Sequence, residues 1–290
     1  MNLRANQNYK DYYEILERIG KGAFGEVYKG KEKETNELRA IKFIDLDQIK
    51  NNLFNKYFDW EKAEKNLQSY KNQFIELFEI MKICSNNNNN SVKCYEYFIN
   101  DKNFVIIMEL CDTNLLQLLR EKNKGFNSEE IFEIMKQLNN TFKIMKENNI
   151  IHRDLKLENI FIKYNDKEHK NFTIKLAGYG CSKKLESLSY SYCNECIGTL
   201  LYMAPEILKG KEYNYKCDLW SIGIILYRLF FLEFPFRGET EMALINNIEH
   251  CGNKLLKKTG NEDLDDLIKK LLEKEPSKRI DWDNYFNHPK

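Results

Sequence analysis

The sequence predicts an α+β fold in two lobes, because strand-like segments fill its first third and helical segments fill most of the rest. Short runs rich in β-branched and aromatic residues, separated by turn residues, recur through the first hundred or so residues. After Cys111, apolar residues instead recur at helical spacing. We place the linker at Glu109 to Asn114. The 290 residues suffice for one two-lobed domain or two small ones.

The first lobe is expected to hold five strands and one long helical stretch. The strands are predicted at Tyr12–Gly20, Glu26–Lys33, Leu38–Ile44, Val92–Asn100 and Phe104–Leu110. The helical stretch runs from about Leu46 to Cys84, where apolar residues recur at helical spacing. Asn86 to Asn90 is a run of asparagines, and its low complexity predicts a flexible surface loop.

The second lobe is expected to be mainly helical. Helices are predicted at Leu115–Glu121, Ser128–Asn148, Lys216–Leu232, Glu241–Glu249 and Asp263–Glu273. The most apolar run, Ser221 to Phe236, is interrupted by Arg228 and Glu233 and is too short to span a bilayer. It therefore predicts a buried core helix.

Composition argues against several classes of partner. The formal net charge is +1, so no global field attracts nucleic acid or a membrane. The polar N-terminus does not resemble a secretory signal, which predicts a cytoplasmic or nuclear protein with its eight cysteines reduced. Cys193 and Cys196 have the spacing of half a zinc site, but no second pair completes four ligands, and two incidental thiols are the favoured interpretation.

A glycine-rich segment in the first lobe could cradle phosphates. Gly20, Gly22, Gly25 and Val27 fit the pattern G-x-G-x-x-G-x-V, and glycines let backbone N–H groups approach a phosphate closely. The Rossmann alternative needs a helix to begin at the last glycine, whereas here a strand continues. The pattern alone is weak. Lys42 follows on the next strand, where it could pair with phosphates or be a solvated edge lysine.

The segment Ile151-His-Arg-Asp-Leu-Lys-Leu-Glu-Asn159 is more specific. It places a proton acceptor at Asp154, a phosphate contact at Lys156 and a metal ligand at Asn159 on one loop. With this motif the chain resembles the eukaryotic protein kinases.

The remaining kinase landmarks follow in the family's order. They are Gly178-Tyr-Gly180 in the place of D-F-G, Gly198-Thr199, Ala204-Pro-Glu206, Asp218-Leu-Trp-Ser-Ile-Gly223 and Arg279, which should pair with Glu206. The resemblance covers about Tyr12 to Pro289 and is of serine/threonine type, similar to calcium/calmodulin-dependent and calcium-dependent kinases. No EF-hand pattern is present in the sequence.

The resemblance implies a single protein-kinase domain over 1–290. Its N-lobe, at 12–110, would be a small antiparallel β lobe with helix C, and its C-lobe, at 111–290, would be larger and mainly helical. The gap between Lys42 and helix C is longer than usual in the family, which predicts an insertion at about 46–70 with an extra helix.

The resemblance also assigns the site residues. The catalytic set is Lys42, Glu76, Asp154, Lys156 and Asn159, with Glu79 as the alternative to Glu76 and Leu77, Ile80 and Ile83 on the inward face of helix C. The nucleotide-binding set is Gly20, Gly22, Gly25, Val27, Ala40, Lys42, Met108, Glu109, Cys111 and Asn114. Met108 would be the gatekeeper, with Glu109 and Cys111 offering backbone hydrogen bonds to adenine.

One residue departs from the family pattern. Gly178 stands where an aspartate would normally chelate Mg²⁺, and glycine offers no ligand. Two functions stay open. Asn159 and a triphosphate could still hold Mg²⁺ or Mn²⁺ weakly in an attenuated ATP-dependent serine/threonine kinase acting on proteins. Alternatively, the chain is a pseudokinase that binds nucleotide or partners.

Two further residues bear on regulation and specificity. Glu195 lies three residues before Gly198, where many relatives carry a phosphothreonine that pairs with the arginine of H-R-D, here Arg153. A permanent carboxylate there predicts an activation segment, closed by Thr199, that orders without phosphorylation. Arg228 stands where basophilic relatives often carry a carboxylate, which predicts no strong preference for arginine-rich substrates.

Overall fold

The computed structural model describes residues 4–22, 25–188, 191–251 and 256–289. The chain divides into two compact units, Met1–Cys111 and Asp112–Lys290.

The first unit is built on one antiparallel sheet. After a short helix, α1 (Tyr9–Tyr12), its strands are β1 (Tyr13–Gly22), β2 (Gly25–Glu32), β3 (Leu38–Asp45), β4 (Cys94–Ile99) and β5 (Asn103–Glu109). They are arranged in the order β1-β2-β3-β5-β4, and every neighbouring pair is antiparallel. All five predicted strands are confirmed. The short helix α1 was not predicted.

The predicted helical stretch between β3 and β4 is two helices, and the first is the extra helix that the long gap after Lys42 predicted. These are α2 (Leu46–Tyr57) and α3 (Trp60–Ser85). Phe58 separates them with a left-handed φ of 52°, and the Asp59 carboxylate then caps α3 by accepting the N–H of Lys62. A bulky residue rarely adopts positive φ, so the composition of this stretch gave no sign of a break.

The asparagine run is not the flexible surface loop that its composition predicted. Asn88 and Asn90 are buried. The Asn88 amide donates to the carbonyl of Cys84 at 2.8 Å, and the N–H of Asn90 donates to Asn88 Oδ1 at 3.0 Å. Asparagine side chains can replace backbone partners in this way, so the run forms an ordered turn after α3.

The second unit is mainly helical, as predicted. Its helices are α4 (Leu115–Lys122), α5 (Ser128–Glu147), α6 (Pro205–Leu208), α7 (Lys216–Phe231), α8 (Glu241–Cys251), α9 (Glu262–Leu271) and α10 (Trp282–Phe286). The five predicted helices agree with this structure to within two residues at each end. The short helices α6 and α10 were missed, because one or two turns show too little periodicity. Helix α7 is buried on nearly every side, as a central core helix requires.

Two small sheets complete the second unit. One contains β6 (Thr113–Asn114), β8 (Ile160–Tyr164) and β9 (Phe172–Leu176), and the other pairs β7 (Ile150–Ile151) with β10 (Lys183–Lys184). The β7–β10 pair brings the start of the Asp154 loop beside the residues after Gly180. These strands were not predicted, because two-residue strands leave no readable alternation.

A buried ion pair confirms the expected partner of Arg279. Its Nη1 and Nη2 donate to the two carboxylate oxygens of Glu206 at 2.7 and 2.9 Å. Such a two-bond contact fixes both position and orientation. Across the ranges given above, no helix has the length and apolar character needed to cross a membrane.

Candidate active site

The Asp154 loop is held in place by a carboxylate from helix α7. Asp218 is 1% exposed and accepts the backbone N–H groups of His152 and Arg153 at 2.7 and 2.8 Å. Burial raises the pKa of the Asp218 carboxyl, and the adjacent His152 and the two N–H donors oppose that rise. Arg153 has a left-handed φ of 66°, a conformation that this anchoring supports.

The Asp154 carboxylate contacts three of the predicted site residues. Its Oδ1 accepts the hydroxyl of Thr199 at 2.7 Å, and its Oδ2 lies 2.8 Å from the ammonium of Lys156. Asn159 Nδ2 donates to Oδ2 at 3.1 Å and to the Asp154 carbonyl at 2.8 Å. Lys156 Nζ also donates to Thr199 Oγ1 at 2.7 Å. The structure thus brings Asp154, Lys156, Asn159 and Thr199 into one hydrogen-bonded group.

Gly178 is packed directly against this group. Its φ is 79°, and a Cβ at this position would lie 2.2 Å from Asn159 Cγ. The Asn159 amide therefore fills the volume that any larger residue at 178 would need. The neighbouring Tyr179 is buried and packs against the His152 ring, with centroids 5.1 Å apart. Burial lowers the pKa of that imidazole.

These residues offer a divalent cation few ligands. Magnesium sites in proteins use oxygen ligands, carboxylates above all, with nearly octahedral geometry. Here Gly178 supplies no side-chain oxygen and the Lys156 ammonium already lies against the Asp154 carboxylate, whereas Asn159 gives its NH₂ group to Asp154 and keeps its Oδ1 as a possible ligand. Among the described residues, no group of three or more His, Cys, Asp or Glu side chains could hold a metal ion. No step is therefore assigned to a metal.

The predicted ion pair between Glu195 and Arg153 is present. Arg153 Nη1 lies 3.2 Å from Glu195 Oε2, and Lys183 Nζ lies 3.2 Å from Oε1. Burial opposes ionisation of Glu195, but hydrogen bonds from its own N–H and from Lys183, together with the Arg153 charge, lower its pKa. Tyr213 adds a hydroxyl donated to the Glu195 carbonyl at 2.8 Å.

Sequence reasoning missed Lys183 and Tyr213 as partners of Glu195. The two residues come from β10 and from the segment before α7, and neither has a fixed sequence offset from Glu195 that a pattern could reveal. Cys193 is buried beside them, and its backbone pairs with that of Tyr213 in an isolated antiparallel β-bridge. The described cysteines, including Cys196, carry no disulfide. Ser189 and Tyr190, in the same segment of the sequence, lie outside the described residues.

In the first unit the glycine-rich segment is a hairpin between β1 and β2, as predicted, and no helix follows it. Gly20 pairs with Val27, and Gly22 pairs with Gly25. A Cβ on Gly25 would lie 1.8 Å from the carbonyl oxygen of Phe43, so only glycine allows β3 to pass this closely. The two residues at the tip, Ala23 and Phe24, lie outside the described ranges.

Four of the residues assigned to nucleotide binding lie on one face of the first unit's sheet. Lys42 lies directly opposite Val27 on β2, and Ala40 lies opposite Met108 on β5. Directly opposed residues point to the same face, and so do residues two apart on one strand. Val27, Ala40, Lys42 and Met108 are therefore neighbours.

Both candidates for the partner of Lys42 on α3, Glu76 and Glu79, are exposed. The predicted inward face of α3 is confirmed in part: Ile80 is buried, whereas Leu77 and Ile83 are only partly so. Phe74, Phe78, Met81 and Cys84 are also buried on this helix. The pairing of Lys42 with Glu76 stays a prediction.

The last three nucleotide-binding candidates lie where the two units join in sequence. Glu109 ends β5, and its N–H donates to the carbonyl of Lys93 at 2.9 Å. Cys111 ends the first unit. Asn114 caps α4 with its side-chain oxygen, which accepts the N–H of Gln117 at 3.0 Å. Their contacts with adenine stay predictions.

Comparison with known proteins agrees with this site. The sequence model of the family described as "Protein kinase domain" matches residues 13–289. The chain is 35% identical over 281 residues to the serine/threonine-protein kinase atg1 of Dictyostelium discoideum, covering 95% of this chain and 38% of that protein. It is 31% identical over 277 residues to the serine/threonine-protein kinase TIO of Arabidopsis thaliana, covering 96% and 19%.

A calcium-dependent kinase is also among the relatives, as the sequence predicted. Calcium-dependent protein kinase 5 of Plasmodium falciparum is 30% identical over 291 residues, covering 99% of this chain and 46% of that protein. The chain spans less than half the length of each of these three relatives. Likeness to Atg1-type kinases was not predicted.

Proposed function

This chain belongs to the protein kinase family, and we propose that it transfers the γ-phosphate of ATP to serine or threonine hydroxyls of a protein, at an attenuated rate. Membership implies use of ATP and, in general, of a divalent metal. Its serine/threonine type follows from the relatives.

The contact between Thr199 and Asp154 supports transfer most directly. Thr199 Oγ1 donates to Asp154 Oδ1 at 2.7 Å, so the carboxylate already binds a hydroxyl of the type that a substrate would present. In the proposed reaction a substrate hydroxyl takes that place, and Asp154 accepts its proton as the oxygen attacks the γ-phosphorus. The bond between the γ-phosphorus and the β,γ-bridging oxygen then breaks, and ADP leaves. Lys156, whose ammonium lies 2.8 Å from Oδ2, would meet the transferring phosphate.

Attenuation is attributed to Gly178. On the proposed assignment a metal-binding carboxylate is missing there, and loss of one electrostatic stabiliser commonly costs about 10²–10³ in rate. The remaining groups, Lys42, Asp154, Lys156 and Asn159, are retained. We propose that ATP binds with reduced dependence on Mg²⁺ or Mn²⁺.

A second function is favoured by one observation. The Asn159 amide occupies the space beside Gly178 that a metal-binding carboxylate would need, and its NH₂ group donates to Asp154. This arrangement suits a pseudokinase that binds nucleotide, or a partner, without transferring phosphate.

Phosphate transfer by the purified chain distinguishes the two functions. The assay follows γ-labelled ATP into a serine/threonine peptide library with Mg²⁺, with Mn²⁺ and with neither. Asp154→Asn serves as the inactive control. We expect weak transfer that Asp154→Asn abolishes and that Gly178→Asp raises by about tenfold or more. If wild type, Asp154→Asn and Gly178→Asp are equally inactive, the pseudokinase function is the correct one.

Nucleotide binding needs its own measurement, because both functions use it. Thermal unfolding with ATP, with and without Mg²⁺ or Mn²⁺, should show a stabilising shift that changes little when the cation is withdrawn. Absence of a shift under every condition would remove ATP from both functions. The domain bounds, the insertion at 46–70 and a cytoplasmic or nuclear location stay predictions.

A further inference from the structure

We propose that Arg228 forms an anion subsite beside the Asp154 loop, and that it selects substrates with a carboxylate or phosphate near the acceptor residue. This inference rests on the proposed function. Arg228 lies on α7 and is partly buried. Its guanidinium lies over the Phe234 ring, 4.3 Å from the centroid, and donates to the Tyr202 hydroxyl at 2.5 Å.

No carboxylate neutralises this guanidinium. No carboxylate oxygen of a described residue lies within 4.0 Å of its nitrogens. Every other partly or fully buried arginine in the described ranges has such a partner: Arg4 has Glu96, Arg39 has Glu32, Arg153 has Glu195 and Arg279 has Glu206. Arg120 also lacks a carboxylate, but it is exposed and its charge is solvated.

A partly buried guanidinium with one hydrogen bond retains unused donors. Arginine presents five N–H groups in a fixed fork that matches the oxygens of a carboxylate or phosphate. Removing the group from water is costly unless a counter-charge is supplied. Phe234 and Tyr202 hold the fork rigidly by their rings, which reduces the entropy lost when an anion binds.

The subsite is connected to the proposed catalytic group through Tyr202. The Tyr202 hydroxyl contacts the N–H of Leu157 at 3.5 Å and Glu158 Oε2 at 3.3 Å, and both residues belong to the Asp154 loop. Tyr202 also lines one small cavity together with Asp154 and Thr199. On this proposal, a peptide with its acceptor hydroxyl at Asp154 also comes close to Arg228.

Glu158 limits what this subsite can bind. It lies beside the same hydroxyl as Arg228 but does not pair with the guanidinium. An anion must therefore approach Arg228 from the side away from Glu158. The selection should accordingly appear at one offset from the acceptor rather than along the whole peptide.

Direct binding tests the inference without requiring catalysis. Labelled alanine-rich peptides with one central serine carry a single aspartate, phosphoserine or arginine, scanned through every position, and fluorescence anisotropy reports their affinity. We expect one offset at which aspartate and phosphoserine bind about tenfold more tightly than arginine, as a charge-assisted contact predicts. The aspartate and phosphoserine arms show which anion is preferred.

Variants separate recognition from structural support. Arg228→Glu should reverse the preference at that offset, and Arg228→Gln should abolish it while keeping an uncharged polar side chain at that position. Arg120→Glu, on an exposed arginine, should leave the preference unchanged. Equal binding of acidic and basic peptides to wild type, or an acidic preference that persists in Arg228→Gln, would overturn the proposal. Selective binding without phosphate transfer would instead refute only the proposed activity.

Discussion

The contact between Gly178 and Asn159 predicts that Gly178→Asp destabilises the protein even if it restores a metal ligand. An aspartate at 178 would have to adopt the φ of 79° that glycine now has, and its Cβ would overlap Asn159 Cγ at 2.2 Å. The overlap is relieved only if the Asn159 amide rotates away, and that rotation breaks its hydrogen bonds to Asp154.

The cost can be estimated from these two changes. A left-handed conformation costs an L-residue about 1–2 kcal/mol, and aspartate is at the lower end of that range. Loss of two hydrogen bonds adds about 0.5–1.5 kcal/mol each. For a chain of 290 residues, the total of about 2–4 kcal/mol corresponds to a fall in Tm of about 3–7 °C. Gain of activity with loss of stability is the usual trade-off at a functional site.

Thermal unfolding of four proteins isolates the overlap. They are the wild type, Gly178→Asp, Asn159→Ala and the double variant, in which the overlapping atoms of Asn159 are absent. We expect the double variant to be more stable than the sum of the single changes predicts, by about 1–3 kcal/mol. Gly210→Asp is the matched control, because Gly210 has φ of 61° with nothing within 4 Å of a Cβ. Additive effects, or equal losses in Gly178→Asp and Gly210→Asp, would refute the packing argument.

Three further predictions concern stability and order. Glu195→Gln should make the activation segment more sensitive to limited proteolysis without changing global Tm. Because the pKa of Glu195 is lowered in the folded protein, the contribution of its ion pairs should be fully present above the ordinary glutamate pKa of about 4.3 and be lost as the pH falls further. If the wild-type segment is cleaved as fast as that of Glu195→Gln at pH 7, the prediction is contradicted. Glu206→Gln should cost about 3–5 kcal/mol by leaving Arg279 buried without its counter-charge, and urea unfolding showing a loss under 1 kcal/mol would count against it. Asn88→Ala should cost about 1–3 kcal/mol, whereas Asn86→Ala, at an exposed position, should cost almost nothing; equal losses would mean that the buried amide of Asn88 is unimportant.

Local patterns predicted most of the regular structure, because each depends on residues close in sequence. The short β-branched and aromatic run at Leu38–Ile44 and the helical periodicity over Ser128–Asn148 were readable directly. The break at Phe58 and the order of Asn88 were not, because a bulky residue with positive φ and a buried asparagine both depend on tertiary context. Composition reports average behaviour, and these positions depart from it.

The same distinction applies to the candidate site. Asp154, Lys156 and Asn159 were found because one loop carries all three at fixed spacing. The overlap at Gly178 was not foreseeable, since it depends on how β9 and its following turn pack against that loop. The sequence predicts that a carboxylate is missing at 178, and only the coordinates show that the Asn159 amide fills the space there.

On the proposed assignment the two departures from the family pattern are Gly178 and Glu195, and at both places groups of the chain itself make the contacts. Near Gly178, the Lys156 ammonium neutralises the Asp154 carboxylate and Asn159 donates a hydrogen bond to it. Glu195 holds the activation segment with one carboxylate oxygen on Arg153 and the other on Lys183. A phosphate would bring about −1.5 to −2 charge to these two cations, whereas Glu195 brings a single charge divided between them. We therefore expect the Glu195 contacts to be weaker than those of a phosphorylated segment, but to form without a kinase and to resist any phosphatase.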